Sequence, residues 1–489
     1  MRTSTALAAG ASRPAHAVWL AWGLPLLLTA CAQVPEWEGK TALQPAASAT
    51  LAVIADVPRV AWPGDHWWTR YGDAQLDALV EKALQDAPDM AAAAARVRQA
   101  QALLGVQQSA LAPQVAANAS IKEDKLSYHH LTPAEMTPRG MNDYGRATLD
   151  VSWSLDLWGR QRASIAAAAG ELQARQADAA QARLLLASGV ATAYAELVRM
   201  SATERTLAQS VKVRETTARL FAERFANGLE NKGSVHSANA RLSAARAQWE
   251  QAKEQLGLQR NQIAVLTGAS PDAAQQIVVP EAALLQPWSQ RWALPENLPA
   301  NLLGRRPDVV AARLQAQALE SRAQAQQAAF YPDVNLAAFV GVQSLGLDML
   351  AKGGSSIASV GPAISLPVFN GGRLRAELGA ARARYDEAVA SYQATVNRAL
   401  QEVANNTVSQ RALRLQLLAM QDAVAAATEA HRVARNRYEG GLASYLEVLS
   451  AEDLLLDGTR QLVEVRARAL ALDIGLHRAL GGGWTEARG

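Results

Sequence analysis

One pattern, present twice, constrains the fold of this chain more than any other feature. Residues 224–235 read RFANGLENKGSV and residues 437–448 read RYEGGLASYLEV, and each stretch closes a run of proline-free sequence, 160–226 or 373–439. Alanine, leucine, arginine, glutamine and glutamate fill both runs, and these residues favour helix. At 1.5 Å per residue, each run predicts a helix of roughly 100 Å. Each helix is predicted to end at a turn built around a glycine.

After each turn, apolar residues recur every seven positions, with small residues mostly three positions further on. The two series are offset by 213 residues: Val235, Leu242, Trp249, Leu256 and Ile263 follow the first turn, and Val448, Leu455, Leu462, Ala469 and Leu476 follow the second. A heptad repeat indicates close, coiled-coil-like packing of long helices. The fixed offset between two such series indicates an internal duplication.

Four shorter segments change to a period of two residues. In 145–157, Ala147, Leu149, Val151 and Trp153 alternate with polar residues, and weaker alternation occupies 113–123, 332–343 and 357–369. This pattern predicts strands with one apolar face. Strands of about ten residues suit a membrane β-barrel, although four are too few to close one. A small soluble sheet is the alternative.

The beginning of the chain predicts export and lipidation. Arg2 and Arg13 precede the apolar run 17–30, which ends in LTAC, and Cys31 is the only cysteine. This order is typical of a bacterial lipoprotein signal, so residues 1–30 are predicted to be removed and Cys31 to be acylated. The alternative is an ordinary secretory signal with an incidental cysteine. A single cysteine also excludes a disulfide within the chain.

Charge and motifs narrow the classes of function. The chain has 48 lysine and arginine residues and 45 aspartate and glutamate residues, so its net charge is +3. A charge this close to zero gives no indication of nucleic-acid binding. The chain contains no Walker loop, nucleophile elbow or HExxH motif. His129 and His130 are adjacent but have no metal-ligand spacing around them. We therefore predict neither an enzyme nor a nucleic-acid-binding protein, with no cofactor and no metal.

These elements predict two repeats behind the signal peptide. The first, in 31–300, comprises an N-terminal segment, strands at 113–123 and 145–157, and a helical hairpin at 160–268. The second, in 301–489, comprises strands at 332–343 and 357–369 and a hairpin at 373–480.

The chain resembles the TolC-like outer-membrane efflux channels, and within them the lipidated NodT or OprM-like lipoproteins of tripartite efflux systems. The resemblance lies in WWTRYGDAQLDALVEKAL from Trp67, LDLWGR from Leu155, NLLGRRPDVVAAR from Asn301, YPDVNL from Tyr331, LPVFNGGR from Leu366 and RYEGGLASYLEVLSAEDLL from Arg437. It implies a mainly α-helical fold with a small membrane β part. Duplicated helical hairpins would form a periplasmic α-barrel, and four strands per chain would complete a twelve-stranded β-barrel in a homotrimer.

The resemblance also implies a function and partners. The protein would conduct drugs or other toxic solutes passively from an inner-membrane pump of the RND type, through a periplasmic adaptor, to the outside. It would lie in the bacterial outer membrane, anchored to lipid through Cys31, with most of the chain in the periplasm. Two alternatives are a lipid-anchored periplasmic coiled-coil scaffold and an exit duct for protein secretion.

The resemblance assigns two sets of site residues. Gly228, Leu229, Gly441 and Leu442 would form the hairpin tips where an adaptor docks, although the leucines could instead pin their own turns. A gate would follow the second tip, with an apolar ring at Leu446 and carboxylate positions at Glu447 and Ser450. Ser450 departs from the aspartate of the OprM-like pattern, so Glu447, together with Glu452 or Asp453, would supply the acidic ring instead. Solvated surface charges are the alternative for these carboxylates.

Overall fold

The computed structural model describes residues 34–37, 39–43, 59–129, 133, 135–281, 294–295 and 304–486. Seven α-helices lie in these ranges: α1 Ala74–Asp86, α2 Pro88–Ser109, α3 Arg160–Ala226, α4 Lys232–Leu266, α5 Pro307–Ala328, α6 Arg373–Glu439 and α7 Tyr445–Ala479. Short 3-10 turns occupy Trp67–Tyr71, Pro271–Gln276 and Leu347–Met349. None of the helices described here has the length and apolar character that crossing a membrane requires.

The long helices repeat in pairs of equal length. Helices α3 and α6 have 67 residues each, and α4 and α7 have 35 each. The second helix of each pair begins 213 residues after the first, the same offset that separates the two heptad series. The predicted internal duplication of long helical hairpins is therefore confirmed.

Four strands form one antiparallel sheet: β1 Gln114–Asp124, β2 Asn142–Ser154, β3 Asp333–Leu345 and β4 Ser356–Ser365, in the order β1-β2-β3-β4. The central pairing joins β2 of the first repeat to β3 of the second, from Tyr144 opposite Leu345 to Ser154 opposite Asn335. A two-residue parallel pair joins Arg59–Val60 to Leu294–Pro295. The prediction of four strands is confirmed.

Two strands end earlier than the alternation predicts. Strand β2 stops at Ser154 rather than 157, because Asp156 turns the chain with a left-handed φ of 40°. The Asp156 carboxylate then accepts hydrogen bonds from the backbone N–H groups of Gln161 and Arg162, at 2.8 and 3.0 Å, which caps the start of α3. Strand β4 stops at Ser365 rather than 369, ahead of Pro367, which has no N–H to donate.

The chain divides into two compact units, and each takes segments from both repeats. The first unit contains Met1–Ala42, Gln101–Gly170 and Ala316–Ala388, and so holds the sheet. The second contains Leu43–Ala100, Glu171–Gln315 and Val389–Gly489, and so holds both turns between long helices.

The second unit packs its N-terminal segment against the helices. Trp67 and Trp68 are both buried and meet edge to face, with ring centroids 5.8 Å apart, beside Ala191 of α3 and Leu470 of α7. Both side chains are therefore core residues. The buried Arg306 pairs with Asp308 and Glu402 at 2.7 Å each, which ties the start of α5 to α6.

Candidate functional sites: a two-faced sheet and two hairpin tips

One face of the four-stranded sheet is apolar from edge to edge. The register aligns successive rows of side chains across the strands: Val115, Val151, Ala338 and Val360 in one row, and Ala117, Leu149, Val340 and Ala358 in the next. Much of this surface is open: Val115, Leu149, Val340 and Val360 are 66%, 51%, 58% and 75% exposed. An uncovered apolar surface of this extent marks contact with a partner or with lipid.

The opposite face of the sheet is polar and internally hydrogen-bonded. Asp150 accepts hydrogen bonds from the Asn118 amide at 2.9 Å and from the Thr148 hydroxyl at 2.8 Å. The Arg146 guanidinium lies 5.1 Å from the ring centroid of Phe339, a cation–π distance. A sheet with one apolar and one polar face suits a boundary between lipid and water.

The sheet also has two open edges. Strands β1 and β4 each pair on one side only, within the part of the chain that the structure describes. Unpaired backbone groups on long edge strands invite pairing with another strand. The sheet therefore presents surfaces for association at both edges.

The two hairpin tips have the same backbone geometry. Gly228 and Gly441 take left-handed φ angles of 70° and 74°. The next N–H in each case, that of Leu229 or Leu442, donates a 2.8 Å hydrogen bond to the carbonyl five residues earlier. This is the Schellman motif, which ends a helix with a glycine because an L side chain is strained at such φ.

Each tip displays a leucine. Leu229 is 65% exposed and Leu442 is 74% exposed, so most of each side chain is available to another molecule. The glycines therefore set the turns, while the leucines form small apolar points on the surface.

The two tips of one protomer pack against each other. Phe221 of α3 is fully buried, with its ring centroid 5.4 Å from that of Tyr438 and 5.8 Å from that of Tyr445. The Tyr438 hydroxyl donates a 2.8 Å hydrogen bond to Glu230, just beyond the first tip. The Arg224 guanidinium lies 4.6 Å from the Tyr438 ring centroid. The sequence analysis did not predict this contact: Tyr438 stands three positions before Gly441, but the matching Phe225 before Gly228 is exposed, and Phe221 makes the contact instead.

Hydrogen bonds at the tip alter the acidity of Glu230. Burial by itself would raise the pKa of this carboxyl, but the Asn231 N–H, the Tyr438 hydroxyl and the Ser234 hydroxyl donate to it and lower its pKa below the ordinary value. Glu230 is therefore held as a carboxylate at the point where the two hairpins meet.

The first turns of α7 expose three of the residues assigned to a gate. Leu446 is 57% exposed, and Glu447 and Ser450 are exposed as well. Glu447 also completes a capping box, in which its carboxylate accepts from the Ser444 N–H at 3.3 Å. The same carboxylate pairs with Arg437 at 3.4 Å, so its charge is partly balanced.

The other two gate candidates lie in an ionic cluster between the hairpins. Glu452 is 1% exposed and accepts a 2.7 Å hydrogen bond from the Thr217 hydroxyl of α3. Asp453 pairs with Arg214 of α3 at 3.2 Å and with Arg241 of α4. The expectation that Glu452 contributes to an acidic ring is corrected, because this carboxylate is buried within one protomer.

Three sequence candidates remain, Cys31, His129 and His130. Cys31 and His130 lie outside the described residues, and His129 is exposed. No group of three or more potential metal ligands occurs in the ranges that the structure describes.

The fold therefore defines a class of protein with two duplicated helical hairpins and a four-stranded sheet that has one apolar and one polar face. The chain belongs to the outer membrane efflux protein family, whose model matches residues 79–269 and 298–482. Multidrug resistance outer membrane protein MdtQ of Escherichia coli O157:H7 is 31% identical over 477 residues, covering 94% of this chain and 97% of MdtQ. Fusaric acid resistance protein FusA of Burkholderia cepacia is 35% identical over 367 residues, covering 73% of this chain and 68% of FusA.

A solved structure supports the same assignment. The crystal structure of the outer membrane protein VceC from Vibrio cholerae matches this chain with a TM-score of 0.80 and 41% identity, covering 86% of this chain and 100% of VceC. The resemblance to outer-membrane efflux channels is therefore confirmed.

Proposed function

We propose that this protein is the outer-membrane duct of a tripartite efflux system and that three copies build the duct. The observation that carries the proposal is the sheet, which has an uncovered apolar face and two open edges. Lipid cannot satisfy unpaired backbone groups, so a sheet in a membrane has to close on itself. Three copies supply twelve strands, a number within the range of known membrane barrels.

Apolar stripes on the helices support association of copies. Leu415 and Leu418 of α6 are 71% and 55% exposed, and Leu258 and Val265 of α4 are exposed to a similar degree. Long helices that display apolar residues at heptad-like spacing favour packing against further helices. In a homotrimer these stripes would be covered.

The exposed leucines of the hairpin tips support the proposed partners and the passive role. Leu229 and Leu442 offer a periplasmic adaptor two small apolar docking points beside rigid glycine turns. The protein itself has no reaction to catalyse, and an inner-membrane pump of the RND type would supply the energy. Relatives named for multidrug resistance and for fusaric acid resistance are consistent with a duct that leaves solute choice to the pump.

The gate is proposed at the start of α7. Leu446, Glu447 and Ser450 are exposed on these first turns. In a trimer with its threefold axis beside this face, three copies of Leu446 would form an apolar ring and three copies of Glu447 an acidic ring. Mutual repulsion of three carboxylates would make such a ring sensitive to nearby cations.

Planar-bilayer recordings test the duct and its gate together. Wild-type protein should form low-conductance channels, and the double variant Leu446→Ser, Glu447→Ser should conduct more. Val433→Ser, an exposed apolar position on α6 before the second tip, is the matched control and should leave conductance unchanged. Equal conductance in all three proteins would remove the gate assignment.

A membrane extraction separates the duct from a lipid-anchored scaffold. Cys31→Ser removes the proposed lipid but leaves the strands, so a membrane-spanning protein should stay in the outer-membrane fraction. Release of this variant into the soluble periplasm would favour the scaffold and overturn the duct.

A further inference from the structure

The segment that joins β3 to β4, residues 346–355, is folded against the apolar face of the sheet, and we call it the β3–β4 turn. A Cβ atom added to Gly145 of β2 would lie 2.8 Å from Cδ2 of Leu347 and 3.2 Å from Cδ2 of Leu350. The two leucines therefore fill the space in which a side chain at position 145 would stand. Side chains alternate along a strand, so this position points the same way as Leu149, on the apolar face.

Hydrogen bonds hold the β3–β4 turn in this position. Asp143 of β2 accepts from two of its N–H groups, because its carbonyl accepts from Gly346 at 2.6 Å and its carboxylate accepts from Leu347 at 2.8 Å. Within the turn, the Ser355 hydroxyl donates to the carbonyl of Met349 at 2.8 Å. The turn is therefore fastened to β2 by its backbone as well as by its leucines.

The β3–β4 turn presents apolar side chains beside a neutral ion pair. Leu347 and Met349 remain 38% and 44% exposed after the turn has packed on the sheet. The Lys352 ammonium lies 3.3 Å from the Asp348 carboxylate and donates to the Met349 sulfur at 3.2 Å. A lysine can keep its ammonium in water while its methylene groups lie along an apolar surface. This composition suits the level at which acyl chains meet headgroups.

The length of β2 places the β3–β4 turn at the edge of a hydrocarbon layer. The turn lies where β2 begins, whereas the long helix α3 follows the other end of this strand. The 13 residues of β2 span about 43 Å. At the tilt of about 40° that is common in membrane barrels, they rise about 33 Å, close to the thickness of about 30 Å of the hydrocarbon core. In the proposed duct, α3 is periplasmic, so the turn lies at the extracellular side.

We propose that the β3–β4 turn is a lipid contact, with Leu347 and Met349 lying among the acyl chains of the extracellular leaflet. The proposal rests on the membrane position of the sheet proposed above, and it assigns the partner of this turn. The polar face of the sheet would line the lumen of the duct, so a turn on the apolar face does not cover the lumen. Burial of the two side chains among acyl chains is favourable and holds the sheet at a fixed depth.

Fluorescence quenching in vesicles tests the lipid contact. The genetically encoded fluorescent amino acid dansylalanine replaces Met349 in the full-length protein, which is reconstituted in phosphatidylcholine vesicles with or without brominated acyl chains. Bromine quenches a probe that lies among acyl chains, and iodide added to the buffer quenches a probe that lies in water. The matched control carries the probe at Met136, which is 75% exposed in the loop between β1 and β2, at the same end of the sheet.

The two quenchers separate lipid from the other possible surroundings of the turn. Brominated chains should quench the Met349 probe several times more strongly than the Met136 probe, and iodide should show the reverse order. Quenching of the Met349 probe by iodide alone would place the turn in water and overturn the proposal. Protection from both quenchers would show that a second copy covers the turn, and equal quenching of the two probes by bromine would show that the turn is no special contact. Each of these results overturns the proposal as well.

Gly145→Val displaces the turn without changing any residue within it. Three methyl carbons of Leu347 and Leu350 lie within 3.3 Å of the position of the new Cβ, so the valine and the leucines cannot occupy this space together. Bromine quenching of the Met349 probe should then fall to the level of the Met136 probe. Ala147→Val, the next residue on the same face of β2, is the matched control and should leave the quenching unchanged. Undiminished quenching in Gly145→Val would overturn the seating of the turn on the lipid face.

A probe at Val360 keeps this proposal distinct from the proposed function. Val360 lies in an apolar row of the sheet and is 75% exposed. Bromine quenching at Val360 without quenching at Met349 overturns the lipid contact of the turn alone. Iodide quenching at Val360 places the apolar face of the sheet in water, and so overturns the membrane position of the duct together with the contact.

Discussion

The Tyr438 hydroxyl, three residues before the second tip glycine, donates a 2.8 Å hydrogen bond to the Glu230 carboxylate, two residues beyond the first tip glycine. The two residues are 208 positions apart in the chain. They therefore fasten the ends of two hairpins that arose by duplication. Phe221, buried beneath Tyr438, provides the apolar support for this contact.

Tyr438→Phe should loosen the paired tips. The hydroxyl bonds a charged and partly exposed carboxylate, so we expect a loss of about 1.5 kcal/mol in local stability. Hydrogen exchange at the backbone amides of 228–231 should become correspondingly faster. Tyr445→Phe is the control, because Tyr445 packs on the same Phe221 ring but its hydroxyl has no hydrogen-bond partner among the described residues. Equal exchange in both variants would contradict the role of the hydrogen bond.

Glu452→Ala should destabilise the contact between the hairpins. The buried carboxylate accepts from Thr217 and lies 3.7 Å from the Arg214 Nε, and its removal leaves both partners partly unsatisfied. Arg214 keeps Asp453 as a partner, so we expect a loss of about 2 kcal/mol, below the full value for a broken buried pair. Asp457→Ala, on the same helix but in an exposed pair with Arg460, should cost less than about 0.5 kcal/mol. Thermal unfolding in detergent, followed by circular dichroism, compares the two.

Periodicity predicted the long hairpins and the four strands because burial on one face imposes a spacing on apolar residues. The heptad series from Val448 to Leu476 records a face that packs inside the protomer, and the alternation from Ala147 to Trp153 records the apolar face of the sheet, which is exposed in a single copy. A single buried carboxylate produces no comparable periodic pattern in the sequence. Glu452 stands beside the apolar series, and its partners Thr217 and Arg214 lie more than two hundred residues earlier, so only the folded packing shows that it is buried.

Hydrogen bonds between a side chain and backbone groups could not be predicted from the sequence either. The Arg382 guanidinium donates to the backbone carbonyls of Pro35 and Glu36, which any two residues would offer, so no motif in residues 34–37 indicates where this segment docks. The end of β2 had a similar cause, since Asp156 caps α3 with its side chain while the apolar alternation runs on to Leu157. The tip turns were predictable because a left-handed φ requires glycine at Gly228 and Gly441.

His477 should make the second unit sensitive to acid. The pKa of this imidazole is lowered to about 4, mainly by burial; the nearby Asp473 opposes the shift and Arg70 adds to it. Trp67 stacks on the imidazole, and the Tyr71 hydroxyl donates a 2.8 Å hydrogen bond to the same Asp473.

The direction of the pH dependence of stability follows from the lowered pKa of His477. The folded protein resists protonation of His477. The stability contributed by the neutral imidazole is therefore fully present above the unfolded pKa of about 6.5 and is lost as the pH falls towards 4. The loss from this group should reach at most about 3 kcal/mol. His477→Phe retains an aromatic ring beside Trp67 and should remove this part of the pH dependence, measured as the difference in unfolding temperature between the two proteins from pH 7 to pH 4. Parallel pH profiles would contradict the assignment to His477.

Two adjacent glycines at the second tip should respond in opposite ways to alanine. Gly441→Ala places a side chain at a φ of 74° and should cost about 1 kcal/mol. Gly440 does not adopt a positive φ, and a Cβ there would lie 3.5 Å from the nearest carbonyl oxygen, an ordinary contact. Gly440→Ala should therefore be neutral or slightly stabilising. Protease sensitivity at 440–444 distinguishes the two variants, and equal sensitivity would contradict a conformational role for Gly441.

Leu415→Glu combined with Leu418→Glu should prevent assembly while leaving the protomer folded. Both leucines are exposed on α6, so the charges are solvated in a single copy, but burial of two carboxylates between copies is strongly unfavourable. The variant should lose the heat-resistant trimer on electrophoresis and show a monomer mass by light scattering, with helical content unchanged by circular dichroism. Leu229→Glu makes the same change at an equally exposed position on the first tip and should still assemble. If the α6 variant also assembles, the stripe on α6 is not the surface between copies.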